Sequence, residues 1–451
     1  MMCLRRRTGL PTMTALTAAD PLASPAARCL VHGGSACAPQ YLTGLDLLMT
    51  NAASPGLLVF PQGLDADALR HSLGRVLQAY PAFTGRLRRD GDGHVFVDCN
   101  DAGVAFEVVR HRGAMPAFGQ GRPVGSALGR YFERTFGWQV VDRDHPLMSV
   151  VLHQFADGGA LLSVTATHSL CDGASFWTFM LDWARAHAGQ PVPAADVDRN
   201  ALIRFSTRQP HFEGEADGGS RLVRRTAWLE RWQLLARFWW QYVARLDKAV
   251  VRISAQQIAA WKDETRRQGG EEEPAGGDLA IAHAVRALSA GMRGTGTRDL
   301  GLVTDLRMRR DSGIGRRYVG NALARELVRL GAHEIAESDI GTLARCLRDG
   351  LERVGTEDLL ADLGLMELHR RRHTVHTLMT ESSIRALDSG IVINNCARLP
   401  MYRVDLGSGS PSWFETARPP FRNVLLVPTP PGVDGYDLHV TALPHELQAL
   451  R

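Results

Sequence analysis

Apolar and polar positions in the first half of the chain follow two different periods, which predicts strands interleaved with helices. A short apolar run over residues 57–60 predicts one strand. Two more strands are predicted over 148–155 and 161–167, joined by a turn at 157–159, and the second of them alternates between apolar and polar residues. Apolar residues three and four apart predict a helix over residues 65–80, and the same spacing predicts another over 174–188. The first half is therefore expected to mix strands with helices that pack on them.

The second half contains the same mixture of elements without repeating the sequence. Helical spacing predicts helices over 278–288, 321–353 and 357–380. Apolar runs predict strands over 300–306, 390–394, 423–427 and 438–442. Because strands and helices are interleaved in both halves, we expect an α/β protein with two similar-sized lobes.

Shifts in composition divide the chain into four segments. Residues 1–40 are rich in Ala, Pro, Ser and Gly without sustained periodicity, which predicts a flexible lead-in. We expect a first lobe over residues 41–190 and a second lobe over 228–451. Residues 191–227 mix Pro, Asp, Arg and Gly, and predict a long crossover linker between the lobes.

Tryptophan is concentrated at the start of the second lobe. Four of the nine tryptophans fall there: Trp228, Trp232, Trp239 and Trp240. The same segment carries Arg224, Arg225, Arg231 and Arg237. This composition is typical of a helix at an interface. A helix that packs against a domain explains it equally, and we favour this second interpretation for a cytoplasmic chain.

Composition excludes several classes of protein. The 451 residues are 45% hydrophobic and 22% charged, as in globular proteins. No apolar run approaches the roughly 18 residues of a membrane span, so we expect no stable membrane insertion. The net charge of +4 is spread along the chain and does not indicate nucleic acid. The seven cysteines form no CxxC pair, which predicts a reducing, cytoplasmic compartment.

Residues 165–173, TATHSLCDG, contain the most promising chemistry. A predicted strand ends at His168, and Asp172 and Gly173 open a helix four residues later. An imidazole with a pKa of about 6.5 at the end of a strand is suited to proton removal in a cleft. Gly173 allows a sharp turn and a close approach. Alternatively, Asp172 is an ordinary helix cap and His168 a hydrogen-bonded buried histidine, and spacing alone leaves both interpretations open.

Other candidate motifs are absent or weak. The sequence contains no Walker A, GxSxG or HExxH motif. His369, His373 and His376 share helical spacing, but without a nearby cysteine and beside three arginines they indicate a solvated basic face, not a metal site. Asp305 and Arg307 alternate to the same side of a predicted strand, so the arginine either pairs with a carboxylate across a domain interface or is exposed.

Several short segments occur along the chain in a fixed order. They are LTGLD (42–46), YPAFTGRL (80–87), DCNDAGVAF (98–106), the HxxxDG motif (168–173), DLR (305–307), YVGN (318–321) and DLGSG (405–409). Taken in this order, they make the chain resemble the BAHD acyltransferases, two-domain enzymes of the chloramphenicol acetyltransferase-like fold, with DLGSG standing where DFGWG is expected. The resemblance spans roughly residues 41–447. The resemblance implies two lobes with mixed sheets and helices, joined by a long crossover loop.

The chain departs from the family pattern at a few positions. Leu406 and Ser408 replace the Phe and Trp of DFGWG. That element is mainly structural in the family, so we expect altered packing and retained activity. Cys396 stands where many plant members have a Trp, and an indole donor to the reaction intermediate is therefore missing. Thr167 replaces the second histidine usual in peptide-synthetase condensation domains, which favours the BAHD branch.

The resemblance implies transfer of an acyl group from a coenzyme A thioester to a hydroxyl or amine of a small molecule, without an acyl-enzyme. His168 is then the general base, and Asp172 supports its loop through an ion pair with Arg307. Asn394 or Asn395 is a candidate donor to the oxyanion.

Two further expectations concern ligands. Ser254, ahead of Lys262, matches a stretch near the coenzyme in similar enzymes and is a candidate donor contact. We expect acyl-CoA as co-substrate, no bound cofactor or metal, and a monomer. Two alternatives stay open. The acyl group comes from a carrier protein, or the chain is a non-catalytic relative that binds a ligand in the same cleft.

Overall fold

The structure of the chain is a computed structural model that describes residues 23–24, 28–119, 126–132, 137–208, 220–268, 273–294, 296–353 and 355–450. Its strands are β1 (Ala23–Ser24), β2 (Arg28–Val31), β3 (Gln40–Tyr41), β4 (Ala53–Phe60), β5 (Arg86–Arg89), β6 (Val95–Asp98), β7 (Val104–His111), β8 (Met148–Gln154), β9 (Ala160–Thr167), β10 (Val223–Arg225), β11 (Asp247–Ser254), β12 (Thr297–Asp305), β13 (Leu323–Gly331), β14 (Leu378–Thr380), β15 (Gly390–Asn395), β16 (Trp413–Glu415), β17 (Asn423–Pro428) and β18 (Gly435–Ala442).

Its helices are α1 (Gly44–Leu48), α2 (Ala66–Leu77), α3 (Gly137–Val140), α4 (Gly173–His187), α5 (Asn200–Ser206), α6 (Trp228–Trp240), α7 (Ala255–Arg267), α8 (Gly276–Gly291), α9 (Ala332–Glu337), α10 (Ile340–Glu352), α11 (Thr356–Arg371), α12 (Glu381–Arg385) and α13 (Pro444–Gln448).

The first sheet is built mainly from the first half of the chain. Its order is β1-β7-β8-β9-β4-β16, and β2 also pairs with β7. β7 and β8 run parallel, whereas β9 is antiparallel to both β8 and β4. Every residue of β9 is buried, including Ser163, Thr165 and Thr167, because the strand lies in the middle of the sheet between β8 and β4. Because β9 ends at Thr167, His168 follows directly after a rigid central strand.

The second sheet has the order β11-β18-β17-β15-β12-β13. Its neighbours β12, β15 and β17 run parallel, and the other pairs are antiparallel. Helix α8 packs on this sheet through apolar side chains that include Leu279, Val285 and Leu288. The two mixed sheets with helices on them confirm the predicted α/β class with two lobes.

A strand from the second half of the chain completes the first sheet, because β16 pairs antiparallel with β4. Glu415 on β16 is fully buried and forms an ion pair with Lys248 of β11, while Nδ1 of His439 on β18 lies 3.2 Å from its carboxylate. Burial alone would raise the pKa of Glu415, but Lys248 and His439 lower it to about 2. A buried charged cluster therefore links the two sheets.

Helix α4 shows why this part of the sequence folds as predicted. Asp172 caps the helix by accepting a hydrogen bond from the Ser175 N–H at 2.9 Å. Phe176, Phe179 and Trp183 recur at helical spacing and are buried in the core of the first lobe. The predicted helix over residues 174–188 is confirmed.

The predicted helix over residues 321–353 is wrong at its start. Leu323–Gly331 form β13, which pairs antiparallel with β12 along nine residues, and helices α9 and α10 follow. The strand is rich in Ala, Leu, Arg and Glu, which favour helices locally. Pairing with a neighbouring strand overrides that propensity.

Two segments predicted as irregular contain regular structure. Within the predicted lead-in 1–40, Arg28–Val31 form β2 because the free backbone groups of β7 provide a partner. Within the predicted linker 191–227, Asn200–Ser206 form α5 and Val223–Arg225 form β10, which pairs with β14. Residues 1–22 and 25–27 of the lead-in lie outside the described residues, and the lobe boundaries stay a prediction.

The tryptophan-rich segment forms α6. The helix packs against the second lobe through Leu234, which is buried beside Ile384 and Leu387. The indole rings do not take part in that packing, because all four lie on the exposed side. Among the residues that the structure describes, no helix is both long and apolar enough to cross a membrane.

Candidate active site

His168 extends from the first sheet to the second half of the chain. Its backbone N–H donates to the Ala52 carbonyl at 2.9 Å, which continues the pairing of β9 with β4 by one residue. Its ring Nδ1 lies 3.0 Å from the side-chain Oδ1 of Asn321, which directly precedes the β13 region. The half-buried imidazole is therefore held at the junction of the two halves.

The amide of Asn321 determines which ring nitrogen of neutral His168 carries the proton. Its Nδ2 donates to Oδ1 of Asp46 at 2.8 Å and to the His168 carbonyl at 2.7 Å. Both partners can only accept, so the amide oxygen must face the imidazole ring. Because an amide oxygen also only accepts, Nδ1 carries the hydrogen, and Nε2 keeps the lone pair that makes it basic.

Asp46 holds Asn321 in place. Its buried carboxylate accepts hydrogen bonds from the Asn321 N–H at 3.1 Å, the Thr43 N–H at 3.0 Å and Arg199 Nη1 at 2.7 Å. Arg199 is buried as well, and its other terminal nitrogen donates to the Leu170 carbonyl at 2.8 Å. Sequence reasoning missed all three side chains. Asp46 and Asn321 each end a segment that carries the family resemblance, and that was the available signal.

The surroundings of His168 favour its neutral form. Burial lowers the pKa of His168 below its ordinary value, and the charge of Arg325 lowers it further. Its own backbone, Asp172 and Asn321 act in the opposite direction but do not reverse the shift. The ring is therefore unprotonated at neutral pH, and its Nε2 can accept a proton.

Asp172 is a helix cap and an ion-pair partner at once. Its Oδ1 accepts from the Ser175 N–H at 2.9 Å and from Arg307 Nη2 at 3.0 Å. Its Oδ2 accepts from Arg307 Nη1 at 2.9 Å and from the Ala322 N–H at 2.9 Å. With four donors on a fully buried carboxylate, Asp172 is committed to structure and cannot act on a substrate.

Arg307 connects that carboxylate to the loop before β13. Besides Asp172, it contacts Oδ1 of Asp305 at 2.8 Å and donates to the carbonyls of Tyr318 and Gly320 at 3.1 Å each. Burial alone would lower the pKa of Arg307, but the two carboxylates raise it above its ordinary value. Of the two predicted alternatives for Arg307, an ion pair or an exposed side chain, the structure shows the ion pair, with Asp172 as the partner.

The backbone at Gly173 does not make the sharp turn that the sequence predicted for this glycine. Its φ does not lie in the left-handed region, so the expected sharp turn does not require glycine here. A methyl group on Gly173 would meet only Leu399 Cδ1, at 3.7 Å. An alanine side chain would therefore fit against the described residues at the start of α4.

The cysteines near this loop are not activated as nucleophiles. Burial raises the pKa of the Cys171 thiol, and burial raises that of Cys396 to about 12. Both groups are therefore thiols at neutral pH, and a thiol is a poor nucleophile compared with its thiolate.

Among the described residues, the structure shows no hydrogen bond between His168 and the other predicted site residues. Asn394 and Asn395 end β15, and the Asn395 side-chain oxygen accepts from the Ala397 N–H at 3.2 Å. Ser254 caps α7, and its hydroxyl accepts from the Gln257 N–H at 3.1 Å. Leu399, which follows β15 by four residues, does reach Gly173, so the exit of β15 borders the histidine loop.

The predicted helix over residues 357–380 is wrong at its end, because α11 stops at Arg371 and β14 begins at Leu378, so the three histidines do not share one helical face. His369 is buried, and its Nδ1 lies 2.8 Å from the Thr374 hydroxyl, because it faces the inner side of the helix end. His373 and His376 are exposed. Across the described ranges, no group of three or more His, Cys, Asp or Glu side chains is arranged to hold a metal ion.

The two-lobed fold and the centre around His168 define an acyltransferase of the chloramphenicol acetyltransferase-like class. The chain belongs to the Transferase family, the BAHD acyltransferases, whose sequence pattern matches residues 42–232 and 246–450. The predicted family is thereby confirmed.

Characterised relatives align with much or part of the chain. Shikimate O-hydroxycinnamoyltransferase from Nicotiana tabacum is 22% identical over 412 residues, which cover 87% of this chain and 89% of the relative. An enzyme from Strychnos nux-vomica, 17,18-epoxy-17-hydroxycur-19-ene N-malonyltransferase, is 35% identical over 131 residues, which cover 28% of this chain and 27% of the relative.

Solved structures share the fold along almost the whole chain. Vinorine synthase matches with a TM-score of 0.68 at 20% identity and covers 95% of this chain and 97% of its own. F. graminearum TRI101, complexed with coenzyme A and deoxynivalenol, matches with a TM-score of 0.69 at 13% identity and covers 91% of this chain and 96% of its own. These likenesses confirm the fold.

We expect Asp172→Ala and Arg307→Ala each to destabilise the protein by about 3–5 kcal/mol, because each leaves a buried charge without its partner. The loss in the double variant should be much smaller than the sum of the two single losses. Denaturant unfolding of the four proteins measures this coupling.

The exposed pair of Arg267 with Glu264, 2.7 Å apart, provides the matched control. The same alanine cycle there should cost less than about 1 kcal/mol in each variant. Additive losses at Asp172 and Arg307 would contradict the coupling.

We expect Asn321→Ala to lower kcat at least about tenfold, because the His168 ring is no longer held with its hydrogen on Nδ1. The Asn321 oxygen also stabilises the protonated ring, so its removal should move the acid limb of the pH–rate profile to lower pH. The profile of acyl transfer, measured beside the melting temperature, tests both effects. Asn100→Ala, at an exposed asparagine, is the control. An unchanged profile would show that Asn321 does not position the base.

Proposed function

We propose that this chain transfers an acyl group from an acyl-CoA thioester to a hydroxyl or amine of a small molecule, with His168 as general base. The observation that carries the proposal is the fixed orientation of the His168 ring. Its Nδ1 is bound to Asn321 at 3.0 Å, which leaves Nε2 as the basic atom, and burial keeps the ring neutral.

The chemistry then takes two steps. Nε2 of His168 removes the proton from the acceptor hydroxyl or amine while the acceptor atom attacks the thioester carbon. The carbonyl electron pair moves onto oxygen and gives a tetrahedral oxyanion. When the oxyanion collapses, the carbon–sulfur bond breaks, and the imidazolium returns its proton to the departing thiolate. The products are an ester or amide and free coenzyme A.

Direct attack without an acyl-enzyme is supported by the surroundings of the base. Within the described residues, the His168 ring has Asn321 as its hydrogen-bond partner, not a serine or cysteine. The nearby Ser169 hydroxyl instead lies 3.1 Å from that of Thr167. Since Cys171 and Cys396 are held as thiols, the described part of the chain pairs no candidate nucleophile with the base.

The remaining site residues are proposals from sequence. Asn394 or Asn395 is proposed to donate an amide N–H to the oxyanion, and Ser254 to contact the donor. Gly173 is proposed to leave room for substrate beside His168. A cytoplasmic monomer without a resident cofactor is the proposed state of the enzyme.

Coenzyme A is a better-supported donor than a carrier protein. TRI101, whose structure contains coenzyme A, matches the chain with a TM-score of 0.69, whereas a polyketide-synthase condensation domain matches with 0.56. Thr167 in place of a second histidine supports the same choice. A non-catalytic relative is disfavoured because it would need neither a base nor a side chain that fixes its tautomer.

We expect His168→Ala to lower turnover on the order of 10²–10⁴-fold while acyl-CoA binding is retained, since the base acts after the donor has bound. In the wild type, the acid limb of kcat/KM should fall below the ordinary histidine pKa of about 6.5. Steady-state kinetics measure turnover and its pH dependence, and calorimetric titration with acyl-CoA measures binding of the donor. His71→Ala, at an exposed histidine, controls for the substitution. Near-normal turnover of His168→Ala would overturn the role of the base.

The donor is tested by supplying the acyl group in two forms. We expect turnover with free acyl-CoA at micromolar to sub-millimolar concentration. The double variant with Arg225→Ala and Arg231→Ala should leave the KM for acyl-CoA nearly unchanged. Arg224 is not substituted, because it pairs with Glu230 and Glu381 and its loss would affect the fold. Turnover only with a carrier-bound acyl group, abolished by this double change, would contradict the coenzyme A assignment.

A further inference from the structure

Helix α6 presents its most apolar face outward. Successive residues of an α-helix are rotated by about 100°, so positions 228, 232, 235 and 239 form one stripe along the helix. The exposed fractions of the large apolar side chains on and beside this stripe are 68% for Trp228, 60% for Leu229, 55% for Trp232, 45% for Leu235, 48% for Trp239, 61% for Trp240 and 59% for Val243.

The opposite face fixes the helix to the second lobe. Leu234 is buried beside Ile384 and Leu387, and the Gln241 amide donates to the Leu387 carbonyl at 3.3 Å. At roughly 200 Å² for each indole, four rings exposed by about half present on the order of 400 Å² of apolar surface. Contiguous patches of this size on a soluble protein mark interaction sites.

A basic cavity lies at the start of the same helix. It has a volume of about 510 Å³ and is lined by residues 225–228 with Arg231, His376 and Thr377. Arg231 Nη1 donates to the His376 carbonyl at 3.3 Å, which holds its guanidinium at the cavity. Arg225 is exposed and has no ion-pair partner among the described residues. Two guanidinium groups and an imidazole therefore surround one cavity next to Trp228.

The neighbouring carboxylates do not neutralise this cavity, because each is already paired. Glu230 lies 2.7 Å from Arg224, and Glu381 lies 3.0 Å from Arg224 and 2.8 Å from Arg385, so these two carboxylates face two guanidinium groups. Further along the helix, Asp388 pairs with Arg237 at 2.5 Å. The charge left over at the start of α6 is positive.

We propose that α6 binds the surface of an anionic phospholipid bilayer. In this arrangement the helix lies in the plane of the membrane. The indoles of Trp228, Trp232 and Trp239 enter the interfacial region, and Arg225 and Arg231 bind lipid phosphate in the cavity. Tryptophan and arginine on one exposed helix are the combination that such surfaces bind, by burial of apolar area and by attraction of charge. Binding at the surface needs no membrane-spanning helix.

The chemistry of the patch argues for a bilayer over a protein partner. A bilayer needs no complementary shape, and flat indole rings are accommodated at the headgroup level. The lipid phosphate matches the cavity in charge.

Flotation of the full chain with lipid vesicles tests the proposal. We expect co-flotation with vesicles of phosphatidylcholine and phosphatidylserine at a ratio of about 7:3, weaker binding at high salt, and little binding to phosphatidylcholine alone. Trp232→Ser with Trp239→Ser should lower the partition coefficient about tenfold or more. Arg225→Ala with Arg231→Ala should lower binding to the anionic vesicles by a similar factor.

Matched controls are available on other faces. Leu30→Ser with Val433→Ser removes exposed apolar side chains elsewhere, and Arg112→Ala with Arg143→Ala removes exposed arginines elsewhere. Both should float like the wild type, and all variants should keep the wild-type melting temperature.

Failure to float with anionic vesicles at low salt overturns the proposal, as does wild-type flotation of the tryptophan variant. Light scattering that shows a dimer, converted to a monomer by the tryptophan changes while vesicles are not bound, would assign the face to a second copy of the chain. Capture of an acidic carrier protein in place of vesicles would likewise overturn it. Acyl-transfer assays without lipid separate this result from the proposed function, because α6 contributes no residue to the centre around His168.

Discussion

The buried ion pair between Asp172 and Arg307 is the contact on which the arrangement of the catalytic centre depends. One partner caps the helix that follows the first sheet, and the other follows a strand of the second sheet. Each charge is shielded from water and has its hydrogen bonds satisfied by the other and by nearby backbone groups. If one lobe shifted against the other, each of these two charges would stay buried without its partner, which costs free energy. The pair therefore fixes the distance between the lobes.

The same pair positions the base without touching it. Asp172 accepts from the Ala322 N–H, and Arg307 donates to the Gly320 carbonyl, so the residues on both sides of Asn321 are held. Asp46 holds the Asn321 amide itself. The ring of His168 then has one hydrogen-bonded orientation, with Nε2 as the basic atom. Structural side chains thus act on the chemistry through a single amide, and loosening them should change proton transfer before it changes substrate binding.

The sequence was informative where a pattern is local. The strand ending at His168, the helix capped by Asp172 and the interleaved α/β order all depend on neighbouring residues, and each is confirmed. The function of Asn321 depends on contacts across 153 and 275 positions of sequence, which no local spacing encodes. β13 was predicted as part of a helix from the helical spacing of its residues, and its ladder with β12 is also a tertiary effect.

The altered DFGWG-like element shows which part of a motif the backbone requires. Asp405 accepts hydrogen bonds from the N–H groups of Gly407 and Gly409, and these glycines have φ values of 95° and 84°, which other residues rarely adopt. The three retained residues are therefore those that close the turn. Leu406 still fills the core of the first lobe, while Ser408 lines a cavity of about 710 Å³. Replacing Trp by Ser removes volume there but no turn geometry, and His168 does not line that cavity, so we infer that the change alters packing locally and leaves the His168 centre intact.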